Sequence, residues 1–243
     1  MGSGKTANCV RDMVMNQTKT SYYTNIIPKR PKQTPWIHTI NSSMIFKKTT
    51  EENPSGRGKP KTKIEFNKEY WDKIPRPISF VYDEAHEIFS ARNSMSVINR
   101  VMANMTAMAR RICGEGRNDS DLVYVTQLDR RIDVIAREMA TLIKYHVMHY
   151  FVTCKKCGLS WAETSEMPEK AKVCCRCGHY LLSRSNFVIE VTHYANIKAY
   201  DAWRDFGIPT HHMKYYITDI EKYFPFYSTM QWEGLFDDVY AET

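Results

Sequence analysis

No apolar run in this chain approaches the ~18–20 residues that a membrane-spanning helix needs. Its N-terminus also lacks the basic-then-apolar pattern of a secretory leader. These two absences exclude a helical membrane protein and a secreted one as first readings, and a soluble, cytoplasmic chain is expected. There is no internal repeat, so solenoids and propellers are excluded as well. Nor is the composition that of a disordered chain: 43% hydrophobic and 12% aromatic over 243 residues describes a buried core. One main domain with a small appendage is expected. Acidic residues are outnumbered, 27 against 34 Lys plus Arg, and the formal charge of +7 suits a polyanionic partner such as nucleic acid.

A further absence lies at the start. The string Gly2-Ser3-Gly4-Lys5-Thr6 has the closing half of a phosphate-binding loop, whose first glycine would precede Met1 together with the strand that aims the loop. The run that follows, "KTANCVRDMVMNQ", is helix material, and free N–H groups at its start would face phosphate oxygens. In such a loop Lys5 contacts the β- and γ-phosphates of ATP and the Thr6 hydroxyl holds Mg²⁺, while Gly2, Ser3 and Gly4 give the backbone its close approach. The missing strand would leave a gap in a parallel sheet, so the true start of the protein is expected upstream.

Further along, "SYYTNIIP" is a β-rich run stopped by Pro28. Residues 28–63, rich in Pro, Gly and Lys, read as a long exposed loop around a short element near Trp36 to Phe46. "PRPISFVYDEAHEIF" gives a buried strand from Ile78 to Tyr82 that ends in two acids. Ile98, Val101, Met102, Met105, Met108, Ala109 and Ile112 recur at helical spacing, so Ser94 to Ile112 reads as an amphipathic helix with methionine as core filler. "DLVYVTQ" is another apolar strand, "RIDVIAREMATLI" a helix, and "YHVMHYFV" and "NFVIEVTHY" strands. The "YYITDIEKYFPFY" tail is expected to pack on the main domain.

Alternating strands and helices imply a mostly parallel sheet whose ligands collect at the strand carboxyl ends. Asp83 would then meet the Mg²⁺ shell, Glu84 would polarise the water that attacks the γ-phosphate, and Gln127 would orient that water. The tetrapeptide "DEAH" invites a helicase reading. However, neither a Ser-Ala-Thr motif nor a paired-arginine motif is present, and the chain is too short for two motor domains.

The cysteines carry a separate signal. Cys154 and Cys157 are separated by two residues, as are Cys174 and Cys177, with sixteen residues between the pairs. Two knuckles of this spacing supply four thiolates in the tetrahedral arrangement that Zn²⁺ prefers, with no open position, so the metal is structural. The knuckles lie between two predicted strands, as an insertion at the tip of a hairpin. Lys155, Lys156, Lys170, Lys172 and Arg176 make the insertion basic.

"GSGKT", "YYTNI", "FVYDEAHEIFSAR", "DLVYVTQ" and "YFPFYSTMQ" together resemble the zonula occludens toxin-like branch of the HerA-FtsK ATPases. That resemblance implies an α/β RecA-like core, truncated before its first strand, that binds ATP with Mg²⁺. It also implies a homo-oligomeric ring, commonly of six subunits, and DNA moved through its centre. The expected division is an ATPase core over 1–152, a zinc ribbon over 153–185 and a C-terminal completion of the core over 186–243. Among the family's roles, a viral genome-packaging ATPase in the host-cell cytoplasm, docking on a capsid or portal protein, fits best. Filamentous-phage assembly ATPases are the alternative, but they continue into a membrane segment. A third reading is a zinc-ribbon nucleic-acid-binding protein that does not hydrolyse ATP. Ring ATPases complete the neighbouring site with an arginine, for which Arg117 is the first candidate and Arg110, Arg111 and Arg131 are rivals. Ser228 stands where the family often has an acid.

Overall fold

A computed structural model describes residues 4–16, 20–51, 61–88, 96–114, 121–132, 134–163 and 172–228. The chain opens with α1 (Lys5–Met15). It continues through β1 (Ser21–Thr24), β2 (Ile37–Thr39), α2 (Ser42–Ile45), β3 (Phe46–Glu51), β4 (Lys61–Phe66) and α3 (Lys68–Trp71). Next come β5 (Ile78–Tyr82), α4 (Ala85–Ile88), α5 (Val97–Ala107), α6 (Ala109–Cys113), β6 (Leu122–Tyr124) and α7 (Val134–Glu138). The remainder is β7 (Ile143–Cys154), β8 (Ser160–Glu163), β9 (Leu182–Tyr194), α8 (Ile197–Phe206) and β10 (Met213–Ile217). The fold is mixed α/β and divides into two bodies. Residues 1–11 and 140–224 form one, and residues 12–139 and 225–243 form the other. Among the described residues no helix is long and apolar enough to cross a membrane.

The body containing residues 12–139 is built on a parallel sheet of order β2-β1-β5-β6. Every residue of β5 is buried, as expected of a parallel strand covered on both faces. Ser79 on it accepts from the Asp121 N–H at 2.9 Å, and the Tyr82 hydroxyl donates to Met105 Sδ at 3.6 Å. Trp71, fully buried, meets Tyr23 and Phe80 edge-on at 4.9 and 4.7 Å, the geometry that ring quadrupoles favour. On α5 the expected stripe is buried at Ile98, Val101, Met102 and Met105, and Ser96 caps the helix by accepting from the Asn99 N–H. The single helix read from the sequence is broken at Met108, whose backbone leaves the helical region and starts α6.

The expected long loop over 28–63 is corrected by this structure. β3 and β4 pair antiparallel from Phe46↔Phe66 to Glu51↔Lys61. On β4 the run Lys63-Ile64-Glu65-Phe66 alternates, and Ile64 and Phe66 pack against the core while Lys63 and Glu65 stay in water. Its many lysines gave the segment a loop-like composition. "RIDVIAREMATLI" is likewise corrected. Among the described residues only Val134–Glu138 is α-helical, after a 3-10 turn over Asp129–Arg131, and Val134, Ile135, Met139 and Leu142 remain exposed.

The other body holds an antiparallel sheet of order β10-β9-β7-β8. β7 and β9 pair along their lengths, with one register irregularity between His149 and Phe151. On one face Tyr145 and Tyr194 pack against Tyr200 and Trp203 of α8. Glu190 is buried on this sheet between His149 Nε2 at 2.8 Å and Lys214 Nζ at 3.0 Å. The long β7–β9 hairpin carries the cysteine knuckles at its far end, as the sequence predicts.

Candidate functional site

In the parallel sheet the chain leaves β1 toward β2 on one side and returns to β5 on the other, so the topological switch point lies between β1 and β5. Asn25 and Asp83, the residues directly after those strands, meet there. The Asn25 amide donates to the Asp83 carbonyl at 2.9 Å and accepts from the Asp83 N–H at 2.8 Å. A side chain thus continues the ladder for one more step and fixes where β5 ends. Asp83 Oδ1 in turn accepts from the Glu84 N–H at 3.0 Å.

Glu84 has φ +50°, in the left-handed region that disfavours side chains. Its turn is held because the Ala85 N–H donates to Val125 O at 2.8 Å and the Glu87 N–H donates to Glu84 O at 2.9 Å. Gln127, just beyond β6, donates from Nε2 to Glu84 Oε1 at 2.8 Å. The second oxygen, Oε2, is buried without a hydrogen-bond partner, and His86 Nδ1 lies 3.3 Å away. His86 also contacts Thr126 Oγ1 at 3.2 Å and Glu87 Oε1 at 3.2 Å. Tyr227, buried in the same body, has its hydroxyl pushed up to about 12, first by burial and then by the Asp83 charge. The edge therefore offers two adjacent carboxylates, one oriented by an amide. Such a pair can hold a divalent cation and take a proton from water.

The structure brings Asp83, Glu84 and Gln127 together. Gly4, Lys5 and Thr6 belong to the other body, at the start of α1. Gly4 has φ +79°, and a Cβ there would lie 2.2 Å from Ile189 Cδ1, so backbone conformation and packing on β9 both require glycine. One turn into α1, Asn8 Nδ2 donates to His146 Nε2 at 3.0 Å, while His146 Nδ1 donates to Lys144 O at 3.1 Å. One neutral tautomer satisfies both bonds. Burial above all, with the charges of Lys5 and Lys144 and with His193, holds the His146 imidazole down to about 4. Gly2, Ser3 and Arg117 lie outside the described residues, as does the Arg110 side chain; Arg111 and Arg131 are exposed.

Cys154, Cys157, Cys174 and Cys177 place their sulfurs within 4.8 Å of one another and can hold a metal ion. The closest approaches are 3.7 Å for Cys154–Cys177 and 3.5 Å for Cys157–Cys174. Four sulfurs at ~2.3 Å from a tetrahedral zinc would be separated by ~3.8 Å. The knuckles repeat each other bond for bond. In each, the first cysteine's N–H donates to the carbonyl five residues on, Leu159 or His179, and its carbonyl accepts from the glycine four residues on. Those glycines, Gly158 and Gly178, have φ of +70° and +67°. Backbone N–H groups of Cys157 and Lys156 lower the Cys154 thiol. Burial raises Cys174, but the N–H groups of Cys177 and Arg176 and the neighbouring thiols bring it down to about 6. The His179 N–H lowers Cys177, yet burial and three nearby sulfurs push it up to about 12. Four thiolates cannot share this space uncompensated, and a divalent cation removes the conflict.

Asn25, His86, Thr126, Tyr227 and His146 escaped sequence reasoning as site residues. The first three stand next to an apolar strand's end or beside the acid pair, which is a local signal; His146 has none. Compared with protein-family models, curated proteins and solved structures, the chain matches none of them.

Proposed function

We propose that this chain is an ATP-hydrolysing DNA translocase with a RecA-like core, of the viral or mobile-element genome-packaging kind, working as a ring of subunits. One observation carries the proposal: buried strand β5 delivers Asp83 and Glu84 to the switch point of a parallel sheet, where Gln127 orients Glu84. The donor set fits a magnesium-bound triphosphate, since two carboxylates adjoin and one has a buried oxygen with no hydrogen-bond partner. When bound, Mg²⁺ neutralises charge on the transferred phosphoryl group. Asp83 offers its carboxylate to the metal, and Glu84 takes a proton from the attacking water. Gln127 keeps the Glu84 carboxylate in one plane. Arg117 is the candidate that reaches a neighbouring subunit's site.

ATP turnover in the presence of DNA tests this assignment. Glu84→Gln should lower the rate by roughly 10²–10⁴-fold, the usual worth of a general base, while ATP binding persists. Undiminished turnover in Glu84→Gln overturns it. The complete set of four cysteines favours a second reading, a zinc-ribbon nucleic-acid-binding protein without hydrolysis. Nucleic-acid binding without any turnover by the unaltered chain would decide for that second reading.

A further inference from the structure

The two cysteine knuckles present an exposed face whose chemistry names a partner. Tyr180 is 72% exposed, far more than a ring of its size needs for packing, and it leans on His179 with centroids 5.1 Å apart. Leu181 beside it is also exposed, and its carbonyl accepts from the Lys155 N–H at 3.1 Å, so the first knuckle abuts this aromatic step. The same two knuckles carry Lys155, Lys156, Lys172 and Arg176, all exposed, and none forms an ion pair among the described residues. Glu163 is the sole carboxylate among residues 154–163 and 172–184. It is buried and held by Arg184 at 3.3 and 3.4 Å, so it does not offset those cations.

We propose that the two knuckles, with Tyr180 as a stacking platform and Lys155, Lys156, Lys172 and Arg176 as phosphate contacts, bind single-stranded nucleic acid. Four cations free of ion pairs among the described residues match a phosphate chain, and a projecting ring can stack on a base that is free of a duplex. A duplex would engage the cations but leave Tyr180 unused, and an apolar protein partner would leave the cations without partners. The proposal deepens the translocase function by naming where the strand is touched, and it rests on that function only for the role the contact serves.

The test uses the full zinc-loaded chain and a fluorescent oligothymidylate of roughly 15 nucleotides, alone or annealed to its complement, with affinity read by anisotropy. Tyr180→Ala should weaken single-strand binding roughly 5- to 150-fold, and Tyr180→Phe should bind as the unaltered chain does. Arg176→Ala should reduce the slope of log affinity against log salt by about 0.7. Unchanged zinc content in each variant shows that the knuckles are intact. Single-strand affinity that survives Tyr180→Ala, tighter binding of the duplex, or no binding by the unaltered chain would overturn the proposal. ATP turnover measured on the same samples separates the two ideas. Sensitivity to Tyr180 without turnover removes the motor and keeps the contact, whereas strand-stimulated turnover indifferent to Tyr180→Ala does the reverse.

Discussion

His146 makes the first body sensitive to acid in a way that can be worked out in advance. Its imidazole is neutral, donating to Lys144 O and accepting from Asn8 of α1, and burial lowers it from an ordinary 6.5 to about 4. Between those two values the unfolded chain binds the proton and the folded one does not, so stability falls as the pH drops through that window. At ~1.4 kcal/mol per unit the loss amounts to about 3 kcal/mol by pH 4, and none of it appears above about pH 7. Urea unfolding, followed by tryptophan fluorescence from about pH 7.5 to about pH 4, would measure it against His146→Gln. Glutamine can still accept from Asn8 but does not titrate. Protonation of carboxylates and of the zinc ligands affects both proteins alike and cancels in the difference. Equal pH slopes in the two proteins, or an imidazole seen by NMR to titrate at or above 6.5, would refute the reasoning.

Chelation should make four further thiols reactive per chain, because the metal protects Cys154, Cys157, Cys174 and Cys177. Before chelation a thiol-specific dye should react fastest with exposed Cys175, while Cys113, buried and pushed up to about 12 chiefly by burial, lags. Asn25→Ala should destabilise the parallel-sheet body by about 1–3 kcal/mol in urea unfolding, since both bonds that bracket Asp83 are lost. The same change should slow any ATP turnover without lowering zinc content.

What could be read from the sequence was what neighbours in the chain decide. β5 was legible to the residue because a short, mostly apolar run after a proline is how a doubly covered parallel strand is written. The cysteine centre was legible because two-residue spacing itself builds the knuckle. The β3–β4 hairpin was not, since consecutive lysines and threonines with only Phe46, Ile64 and Phe66 among them resemble a solvated linker until the core side is known. The helix expected over 131–143 also failed: with four of its apolar side chains left in water, no buried stripe holds a long helix together. The polar bonds that build the sites were the least legible. Asn25 reaches Asp83 across 58 positions and Asn8 reaches His146 across 138; the end of β1 marks Asn25's place but not its partner, and nothing local marks the second pair.

The physical case for chemistry at Glu84 comes from what the fold gives up there. A non-glycine residue held at φ +50° costs about 1–3 kcal/mol, and Glu84 Oε2 is buried without a hydrogen bond, its near neighbour being His86 Nδ1 at 3.3 Å. Glycine at this position would relieve both at the loss of one exposed hydrogen bond to Gln127. Nothing in the packing of β5, whose own residues are fully buried and satisfied, asks for a carboxylate at its end. The knuckles differ: there each backbone bond is made and each glycine sits where a positive φ is required. A chain that obeys local rules at its structural centre and breaks two of them at one carboxylate places its strain where a reaction would use it. That contrast is why the proposed hydrolysis is assigned to the end of β5 rather than to the cysteine-bearing hairpin.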